Sequence, residues 1–389
     1  MVKKILFIGH SAGHTGAPLI LLRLCEWLKK NSSQEFEIIL KEDGKLRPLY
    51  EKIAPVVLYN QSISHSSLIS RGFKFFGSRS TLFNSFIRSR MTKYFRKKYP
   101  PSSCSLIFTN TITNGEILSA LSHLECPVIC RVAELDYWIN RSGKENFEIT
   151  KKYVSHFIAV SEAVKKNLVE NHGIAPEKIN VIHGFINTTE IQTNSQSVRA
   201  SLSIPHDALI IGGSGAEIWR KGKDLFILLA IAVHLKAPDL PIHFVWVGGK
   251  DNEAELYQMK HDIKQSGLEK NIHLIPEVTN PLDYFATFDI FAMVSREDPY
   301  PIVNIEAASL GKPIVCFADA GGTPELVEED AGFVVPYLDI DTMADKVIEL
   351  IHDEKLRRGF GERAAQKVRE LHDISTAAPK VLEVINQFL

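Results

Sequence analysis

The most informative part of this chain is residues 295–325, which read SREDPYPIVNIEAASLGKPIVCFADAGGTPE. Two carboxylates, Asp298 and Glu306, lie eight positions apart in it. The run LGKPIV predicts a short buried strand, and Gly321 and Gly322 predict a tight turn at the start of a helix. Glycines at the head of a helix let backbone N–H groups approach a phosphate. Because carboxylates bind sugar and ribose hydroxyls well, the stretch predicts a nucleotide-sugar site.

This stretch resembles the signature of the retaining glycosyltransferases of family 4, in which a glutamate, seven residues and a second glutamate precede a GGxPE turn. Glu306, in IEAASLGKPIV, matches the second glutamate, and Asp298 stands at the first position with Glu297 beside it. The resemblance covers most of the chain and is strongest from about residue 205 to 335. It implies an α/β protein with the GT-B fold: two Rossmann-like domains, each a doubly wound parallel sheet, that face a cleft.

Length and composition agree with two soluble domains, since 389 residues with 45% apolar side chains suffice for two cores. A net charge of −1 argues against a nucleic-acid partner, because nucleic-acid-binding domains are commonly strongly basic. The five cysteines show no metal-site spacing, so Cys126 and Cys130 are interpreted as packing thiols in a reducing compartment. No apolar run reaches the roughly 18 residues that predict a membrane-spanning helix.

Strand and helix patterns alternate along the chain, which is typical of parallel sheets covered on both faces. Lys4–Ile8 predicts a first buried strand, and the polar stretch Asn187–Ser203 predicts a linker. We therefore expect domains at residues 1–190 and 200–374. By resemblance, the first binds the acceptor and the second the nucleotide-sugar, and the C-terminal helix, residues 375–389, packs back on the first.

A second glycine loop, Gly212–Asp224, carries cations suited to a departing diphosphate. Fixed positive charges stabilise the developing negative charge without a metal ion. Lys221 matches the family's Lys-Gly pair, whose lysine contacts the diphosphate. The arginine that usually follows soon after the glycine turn of this loop is missing, since Ala216 or Glu217 stands at that position, so Arg220 is the candidate substitute. A solvated basic turn is the alternative, more so for Arg220 than for Lys221.

The resemblance assigns roles within the signature. Glu306 is expected to bind the ribose hydroxyls, and Asp298 to face the transferred sugar. Glu306 could instead be a carboxylate favoured by a helix dipole, and Glu325 is expected to be a helix-start residue. The expected catalytic residues are Asp298, Glu306 and Lys221. The expected donor-binding residues are Gly215, Arg220, Lys221, Glu297, Asp298, Tyr300, Ile302, Val303 and Glu306, with Ile302 and Val303 acting through their backbones.

The first glycine loop, Gly9–Pro18, follows the first predicted strand and opens a helix. Backbone amides near Gly13 and Gly16 are therefore placed to face a phosphate or an acceptor. A strand-to-helix turn that simply needs glycine explains the loop equally well.

Glu134 is a further candidate for the acceptor site. The family commonly has a histidine just before an acidic residue of this kind, whereas this chain has Ala133. His10 and His183 are candidate replacements, although a lone histidine is more often a structural hydrogen-bonding residue.

Residues 71–99 contain nine cations and no acid, with aromatic residues between them. A basic amphipathic surface binds an anionic membrane, each cation contributing about 1 kcal/mol. This pattern favours a cytoplasmic protein that touches the inner face of the membrane. The alternative is a helix whose aromatic residues pack inward and whose cations are merely solvated.

Together these features predict a retaining, metal-independent glycosyltransferase with no cofactor besides its nucleotide-sugar substrate, for which UDP-glucose is the first candidate. The acceptor would be a saccharide or a lipid-linked precursor in cell-surface polysaccharide or glycolipid synthesis. Two alternatives stay open: a non-catalytic nucleotide-sugar-binding partner, suggested by Ala133 and the missing arginine, and another GT-B activity such as nucleotide-sugar epimerisation. Neither glycine loop has the G-x-G-x-x-G spacing, which disfavours a nicotinamide dehydrogenase.

Overall fold

The computed structural model describes residues 3–59, 81–249 and 253–389, and only the backbone of residues 81–88, 142–144 and 253–255. The chain divides into two compact units, Met1–His183 with Ala377–Leu389, and Gly184–Thr376. The boundary falls just before the polar stretch that begins at Asn187, so this stretch belongs to the second unit.

The first unit is built on a parallel sheet of seven strands. The predicted first strand is confirmed and extends three residues further, to Ser11. The strands of this sheet are β1 (Lys4–Ser11), β2 (Phe36–Glu42), β3 (Val56–Leu58), β4 (Cys104–Asn110), β5 (Val128–Val132), β6 (His156–Ala159) and β7 (Ile179–Val181). The helices described between them are α1 (Gly16–Asn31), α2 (Arg47–Ile53), α3 (Thr81–Lys98), α4 (Gly115–Leu121), α5 (Asp136–Tyr153) and α6 (Glu162–Glu170).

The strand order of this sheet is β3-β2-β1-β4-β5-β6-β7. Its central strands are buried along nearly their whole length because helices cover both faces, which explains the apolar runs in place of alternation. Local chemistry sets the ends of α6, as the sequence predicts: the hydroxyl of Ser161 accepts a hydrogen bond from the N–H of Val164 (3.1 Å), and Gly173 follows the helix with a φ of +65°.

The second unit contains a parallel sheet of six strands in the order β10-β9-β8-β11-β12-β13, the doubly wound Rossmann order. Its strands are β8 (Leu209–Ser214), β9 (Ile242–Val247), β10 (Ile272–Ile275), β11 (Ile290–Met293), β12 (Ile314–Phe317) and β13 (Gly332–Val335). The helices described are α7 (Val198–Ser201), α8 (Lys223–Lys236), α9 (Glu253–Gln265), α10 (Leu282–Phe285), α11 (Ile302–Ser309), α12 (Thr323–Val327), α13 (Ile340–His352) and α14 (Glu354–Lys367). The last helix, α15 (Ile374–Asn386), begins in the second unit and belongs to the first unit from Ala377 onward.

A large apolar cluster on the second sheet holds this unit together. Phe226 of α8 packs edge-on against Trp246 of β9, with ring centroids 5.3 Å apart. Val347 of α13 and Phe317 of β12 are completely buried in the same cluster. The strand predicted from LGKPIV is confirmed in its last part only, because β12 begins at Ile314 and continues to Phe317 while residues 310–313 precede it. The predicted glycine turn leads into α12, and Glu325 lies in the first turn of that helix.

The basic stretch is described only in part, because residues 71–80 and the side chains of residues 81–88 lie outside the described portion. In the last turns of α3, Met91 and Phe95 are buried against the first sheet. Lys93, Arg96 and Lys97 are exposed on the other side of the helix. Phe95 and Tyr99 therefore face inward while the basic residues face outward, and Tyr94 lies on the exposed side with them.

Candidate functional site

The strand order of the second sheet reverses between β8 and β11, which are hydrogen-bonded neighbours although two strands (β9 and β10) and three helices (α8, α9 and α10) lie between them in the chain. In open parallel sheets, ligands bind at such a point, beyond the carboxyl ends of the strands. β8 leads into loop 215–222, and β11 leads into loop 294–301. Every residue that the sequence assigns to donor binding lies in these two loops or in α11, which follows the second loop.

Two cations meet one carboxylate where the two loops touch. The ammonium of Lys221 forms an ion pair with the buried carboxylate of Asp298. Nη1 of Arg220 lies 3.4 Å from the same Asp298 oxygen and donates to the carbonyl of Glu297 (3.1 Å). Gly215 lies against the aliphatic part of Lys221. A Cβ on residue 215 would lie 3.1 Å from the side-chain carbons of that lysine. The sequence-predicted residues of the two loops are thus brought together.

The charge balance of this cluster suits an anionic ligand. Burial lowers the pKa of Lys221, the carboxylate of Asp298 opposes that effect, and the charge of Arg220 lowers the pKa further. Burial and the neighbouring cation both disfavour the charged form of a lysine. A negatively charged group placed beside Lys221 and Arg220 would relieve both effects.

The glycine turn of the signature holds Asp298 in place through the backbone. The N–H of Asp298 donates to the carbonyl of Ala320 (2.6 Å), and the N–H of Gly322 donates to the carbonyl of Asp298 (3.3 Å). Gly321, between them, has a φ of +131°, and a Cβ there would lie 1.8 Å from the carbonyl oxygen of Asp298. Glycine is therefore required at this position for steric reasons.

Arg296 ties the two loops together, and sequence reasoning missed it. Its guanidinium donates two hydrogen bonds to the carboxylate of Asp224 (2.9 and 2.6 Å) and one to the carbonyl of Trp219 (2.8 Å). The guanidinium also lies 5.1 Å from the centre of the Trp219 ring. Its backbone N–H donates to the carbonyl of Arg220 (2.8 Å), so the clamp positions the cation loop directly. Burial alone would raise the pKa of Asp224, but Arg296 brings it below its usual value.

Tyr300 points into the second unit. Its hydroxyl lies 3.1 Å from Nε2 of His372, and Nδ1 of His372 lies 3.2 Å from the carbonyl oxygen of Gly184. Burial raises the pKa of Tyr300 well above its usual value. The tyrosine thus anchors the loop that carries Asp298. Its partner, 72 residues away, gives no local signal in the sequence.

Helix α11 begins after Pro301, and no side chain caps its N-terminus. The N–H groups of its first turn, which include those of Ile302 and Val303, have no partner within the helix. Glu306 lies one turn further along and is half-buried. Asn304 donates to the hydroxyl of Thr323 (2.7 Å), which joins α11 to α12. This arrangement keeps the helix N-terminus, the carboxylate and the glycine turn in one block.

Glu217, near the position where the family has an arginine, forms a buried ion pair. Its carboxylate lies 3.1 Å from the ammonium of Lys223, and each side chain is only 7% exposed. The acid is therefore part of the packing of the loop, and Arg220 is the arginine that approaches Asp298.

In the first unit, the glycine loop follows β1 and opens α1. The N–H of Gly13 donates to the hydroxyl of Ser11 (3.3 Å), while Gly16 is exposed at the helix start, where Thr15 makes no side-chain cap. Asn110, at the end of β4, donates to the carbonyl of Ala17 (2.8 Å) and steadies the first turn of α1.

Glu134 follows β5 and is almost fully buried. Its carboxylate accepts a hydrogen bond from the N–H of Ala133 (2.8 Å). The neighbouring Arg131 is buried as well and donates to the side-chain oxygen of Asn110 (3.3 Å). Burial lowers the pKa of Arg131 to about 10, although the charge of Glu134 opposes the change. Sequence reasoning identified Glu134 but not the Arg131–Asn110 link.

No metal-binding cluster of three or more His, Cys, Asp or Glu side chains is found among residues 3–59, 81–249 and 253–389. In the same part of the chain, no helix is long and apolar enough to cross a membrane. All five cysteines are free, and four of them are buried. Metal independence stays a prediction.

Two family models match consecutive parts of the chain. The model described as Glycosyltransferase Family 4 matches residues 54–190, and the model described as Glycosyl transferases group 1 matches residues 194–367. The chain belongs to the group 1 glycosyltransferases. The family predicted from Asp298, Glu306 and the glycine turn is confirmed.

Curated relatives of this glycosyltransferase are distant. The capsular polysaccharide biosynthesis glycosyltransferase CapM of Staphylococcus aureus is 22% identical over 60% of this chain and 61% of its own length. A poly(ribitol-phosphate) alpha-N-acetylglucosaminyltransferase of Staphylococcus aureus is 23% identical over 64% of this chain and 50% of its own length. The chain thus spans about half to three fifths of these relatives.

Solved structures extend the match over the whole chain. Anabaena Alr3699/HepE, solved with UDP and glucose, superposes with a TM-score of 0.80, 20% identity and 99% coverage of both chains. Sucrose-phosphate synthase from Thermosynechococcus elongatus superposes with a TM-score of 0.76, 16% identity and 99% coverage of both chains. The GT-B fold predicted from the sequence is confirmed. The roles of the individual site residues stay predictions.

Proposed function

We propose that this glycosyltransferase moves a sugar, with retention of configuration and without a metal ion, from a nucleotide-sugar to a saccharide or lipid-linked acceptor in cell-surface polysaccharide or glycolipid synthesis. The observation that carries the proposal is the meeting of Lys221 and Arg220 at the single carboxylate of Asp298, at the switch point of the second sheet. UDP-glucose is the proposed donor.

The diphosphate of the donor would bind beside Lys221 and Arg220, at the N-terminus of α11. Lys221 and Arg220 would bind its oxygens, and the first-turn N–H groups of α11 would add hydrogen bonds from the backbone. Glu306 would accept hydrogen bonds from the ribose hydroxyls, and Asp298 from the transferred sugar. Fixed cations act most strongly in the transition state, when the leaving diphosphate gains charge.

The proposed reaction takes place on one face of the sugar ring. The bond between the anomeric carbon and the diphosphate oxygen breaks, and its electron pair leaves with the diphosphate. The acceptor oxygen bonds to the same face of the anomeric carbon, and its proton passes to the departing phosphate oxygen. Because the donor supplies the base, a histidine at the position of Ala133 is not required for proton removal.

Two similar proteins support the proposed donor and the proposed class of acceptor. Anabaena HepE has been solved with UDP-glucose, at a TM-score of 0.80 and 19% identity to this chain. CapM is a capsular polysaccharide biosynthesis enzyme. We carry both over to this chain as proposals, UDP-glucose as donor and a polysaccharide precursor as acceptor.

The test is a panel of UDP-, GDP- and ADP-sugars in which thermal stabilisation and nucleotide release are followed together, with and without EDTA. We expect UDP-glucose to stabilise the protein, nucleotide release to rise when acceptor is added, and EDTA to have no effect. The anomeric configuration of the product, read from its NMR coupling constants, tests retention. Stabilisation without release in the presence of saccharide and lipid-linked acceptors would instead indicate a non-catalytic binder, and conversion of the donor alone would indicate an epimerase.

We further propose that the exposed basic face of α3 contacts the anionic inner face of the membrane, with the protein on the cytoplasmic side. Lys93, Arg96 and Lys97 are exposed there, while Met91 and Phe95 face the core. Three cations near a membrane surface contribute about 1 kcal/mol each. We expect the triple change to glutamine to reduce flotation with anionic vesicles by at least tenfold. A matched triple change of the exposed Lys260, Lys264 and Lys355 should leave flotation unchanged; equal losses in both would contradict the proposal.

A further inference from the structure

A second polar site lies at the opposite edge of the second sheet. It is a cavity of about 380 Å³, here called the amino-end cavity. Asp289 directly precedes β11, Lys312 lies two residues before β12, and the segment that precedes β8 forms the facing wall. The side chains used below are Gln196, Arg199, His206, Thr287, Asp289 and Lys312.

The parallel arrangement of the strands separates this cavity from the donor site. β8, β11 and β12 run in one direction, so the amino ends and the carboxyl ends of the strands lie at opposite edges of the sheet. A strand of six residues such as β8 rises about 3.3 Å per residue, which puts the two edges on the order of 15–20 Å apart. A ligand in the amino-end cavity therefore does not occupy the donor site.

Arg199 is held rigidly in the wall of the cavity. Its Nη1 donates to the carbonyls of Pro205 (3.0 Å) and Ala208 (2.9 Å), and its Nη2 lies 3.6 Å from Oδ2 of Asp289. That carboxylate oxygen also accepts a hydrogen bond from the N–H of Ile210 (2.8 Å). The carboxylate of Asp289 thus already interacts with the backbone N–H of Ile210 and with the guanidinium of Arg199.

Lys312 brings a second cation to the same cavity. Its ammonium donates to the carbonyl of Ala286 (2.9 Å), which uses one of its three protons. Within the described residues, no carboxylate lies at ion-pair distance from it. Burial lowers the pKa of Lys312, the charge of Asp289 opposes this, and the charge of Arg199 lowers the pKa further. An anion between the two cations would offset both the burial and the repulsion.

The other polar side chains of the wall are those of Gln196, Thr287 and His206. The amide of Gln196 has N–H groups to donate, whereas the hydroxyl of Thr287 already donates to the carbonyl of Tyr284 (2.7 Å). Two cations face one acid in a concave space at the lower end of the size range of small-molecule sites, about 300–1,000 Å³. We propose that the amino-end cavity binds the phosphate group of a small molecule of about monosaccharide size, at a site separate from the donor site.

The test is calorimetric titration of the full chain with inorganic phosphate, glucose 6-phosphate and glucose at constant ionic strength. We expect the two phosphates to bind and glucose not to bind. Equal affinity for both phosphates would identify free phosphate as the source, and tighter binding of the ester would identify a sugar phosphate. Absence of saturable binding of either phosphate would overturn the proposal.

Variants locate the binding. Lys312→Met keeps the aliphatic stem and removes the charge, so phosphate affinity should fall about tenfold to a hundredfold, the range for a lost hydrogen bond to a charged group. Gln196→Trp, at an exposed position of the wall, should block the cavity while Lys312 remains. The matched control Lys355→Met removes an exposed lysine of the same unit and should bind phosphate as the unchanged protein does.

Lys221→Met distinguishes the two edges of the sheet. Phosphate affinity should survive this change because Lys221 belongs to the donor site. If Lys221→Met abolishes phosphate binding while Lys312→Met and Gln196→Trp preserve it, the phosphate binds in the donor site and the inference is wrong. Failure of the donor panel alone would leave the inference intact, since the amino-end cavity uses none of the proposed donor-binding residues.

Discussion

In both sheets of this glycosyltransferase the strand order reverses at one point, and a crevice lies there beyond the carboxyl ends of the strands. The two crevices differ in the charged side chains that line them. In the first unit, where the order reverses between β1 and β4, Arg131 of β5 is deeply buried, donates to Asn110 at the end of β4 and lies close enough to Glu134 for that charge to affect its pKa. In the second unit, between β8 and β11, Lys221 and Arg220 both contact the carboxylate of Asp298. Topology provides a crevice in both units, and the charge balance decides which one suits a diphosphate.

The largest expected effect comes from removing the positive charge of Lys221 in the second crevice. Lys221→Met should lower kcat by about 10²–10³-fold, the range for loss of one group that stabilises a developing anion. Steady-state kinetics with the donor identified by the panel measure this loss, and Lys355→Met is the matched control. A loss below about threefold would show that Lys221 is not part of the transition-state site.

The glycine turn beneath Asp298 should be the next most sensitive position. Gly321→Ala forces a Cβ into the space of the Asp298 carbonyl oxygen at a φ of +131°, so we expect about 1–3 kcal/mol lower free energy of unfolding together with reduced turnover. Denaturant titration measures the first, and donor kinetics the second.

Gly359→Ala is the control for the glycine change, because it lies inside α14 with open space around its Cβ position. Alanine in a helix interior is favoured over glycine by about 0.5–1 kcal/mol, so this variant should be slightly more stable. Equal destabilisation by both changes would contradict the special role of Gly321.

A change in the first crevice should lower the stability of the protein and leave its affinity for the donor unchanged. Arg131→Met leaves the side-chain oxygen of Asn110 without this donor and removes the positive charge near Glu134, so the free energy of unfolding should fall by about 1–3 kcal/mol. Donor affinity, measured by calorimetry, should change by less than about threefold. A tenfold loss of donor affinity would break the distinction between the two crevices.

The smallest expected effect is a shift in pH dependence. Lys221 is charged below its pKa, and that pKa is lower than the usual lysine value because of burial and the charge of Arg220. Donor binding should therefore be complete at lower pH and should weaken as the pH rises through this lowered pKa. In Lys221→Arg the weakening should disappear from the alkaline range, since arginine stays charged there. An unchanged alkaline limb in this variant would assign the titration to another group.

Sequence patterns predicted the second crevice well because its residues are concentrated in two short loops. Asp298 and the glycine turn lie within one stretch of 31 residues, and Lys221 follows a recognisable strand and glycine loop. In a parallel sheet, loops after neighbouring strands must meet at the same edge. Their contact therefore follows from strand order, which the alternating pattern indicates.

The supporting residues were not predictable in the same way. The Arg296–Asp224 clamp joins residues 72 positions apart, and the Tyr300–His372 contact spans the same separation. Neither pair has a spacing that a helix or strand period would produce. The amino-end cavity is similar, since Arg199 and Lys312 come from separate loops that only the folded sheet brings to one edge.

Buried strand runs, glycine turns and the spacing of two acids are local patterns, so they were enough to predict the family, the two parallel sheets and the loops that carry the candidate donor site. The pairing of Lys221 and Arg220 with Asp298, the ion pair of Glu217 with Lys223 and the anchoring of Tyr300 inside the second unit are visible only in the folded protein. The physical reason is that hydrogen bonds and ion pairs between side chains depend on distance in space, and distance between remote segments is established only when the sheet and its helices have packed.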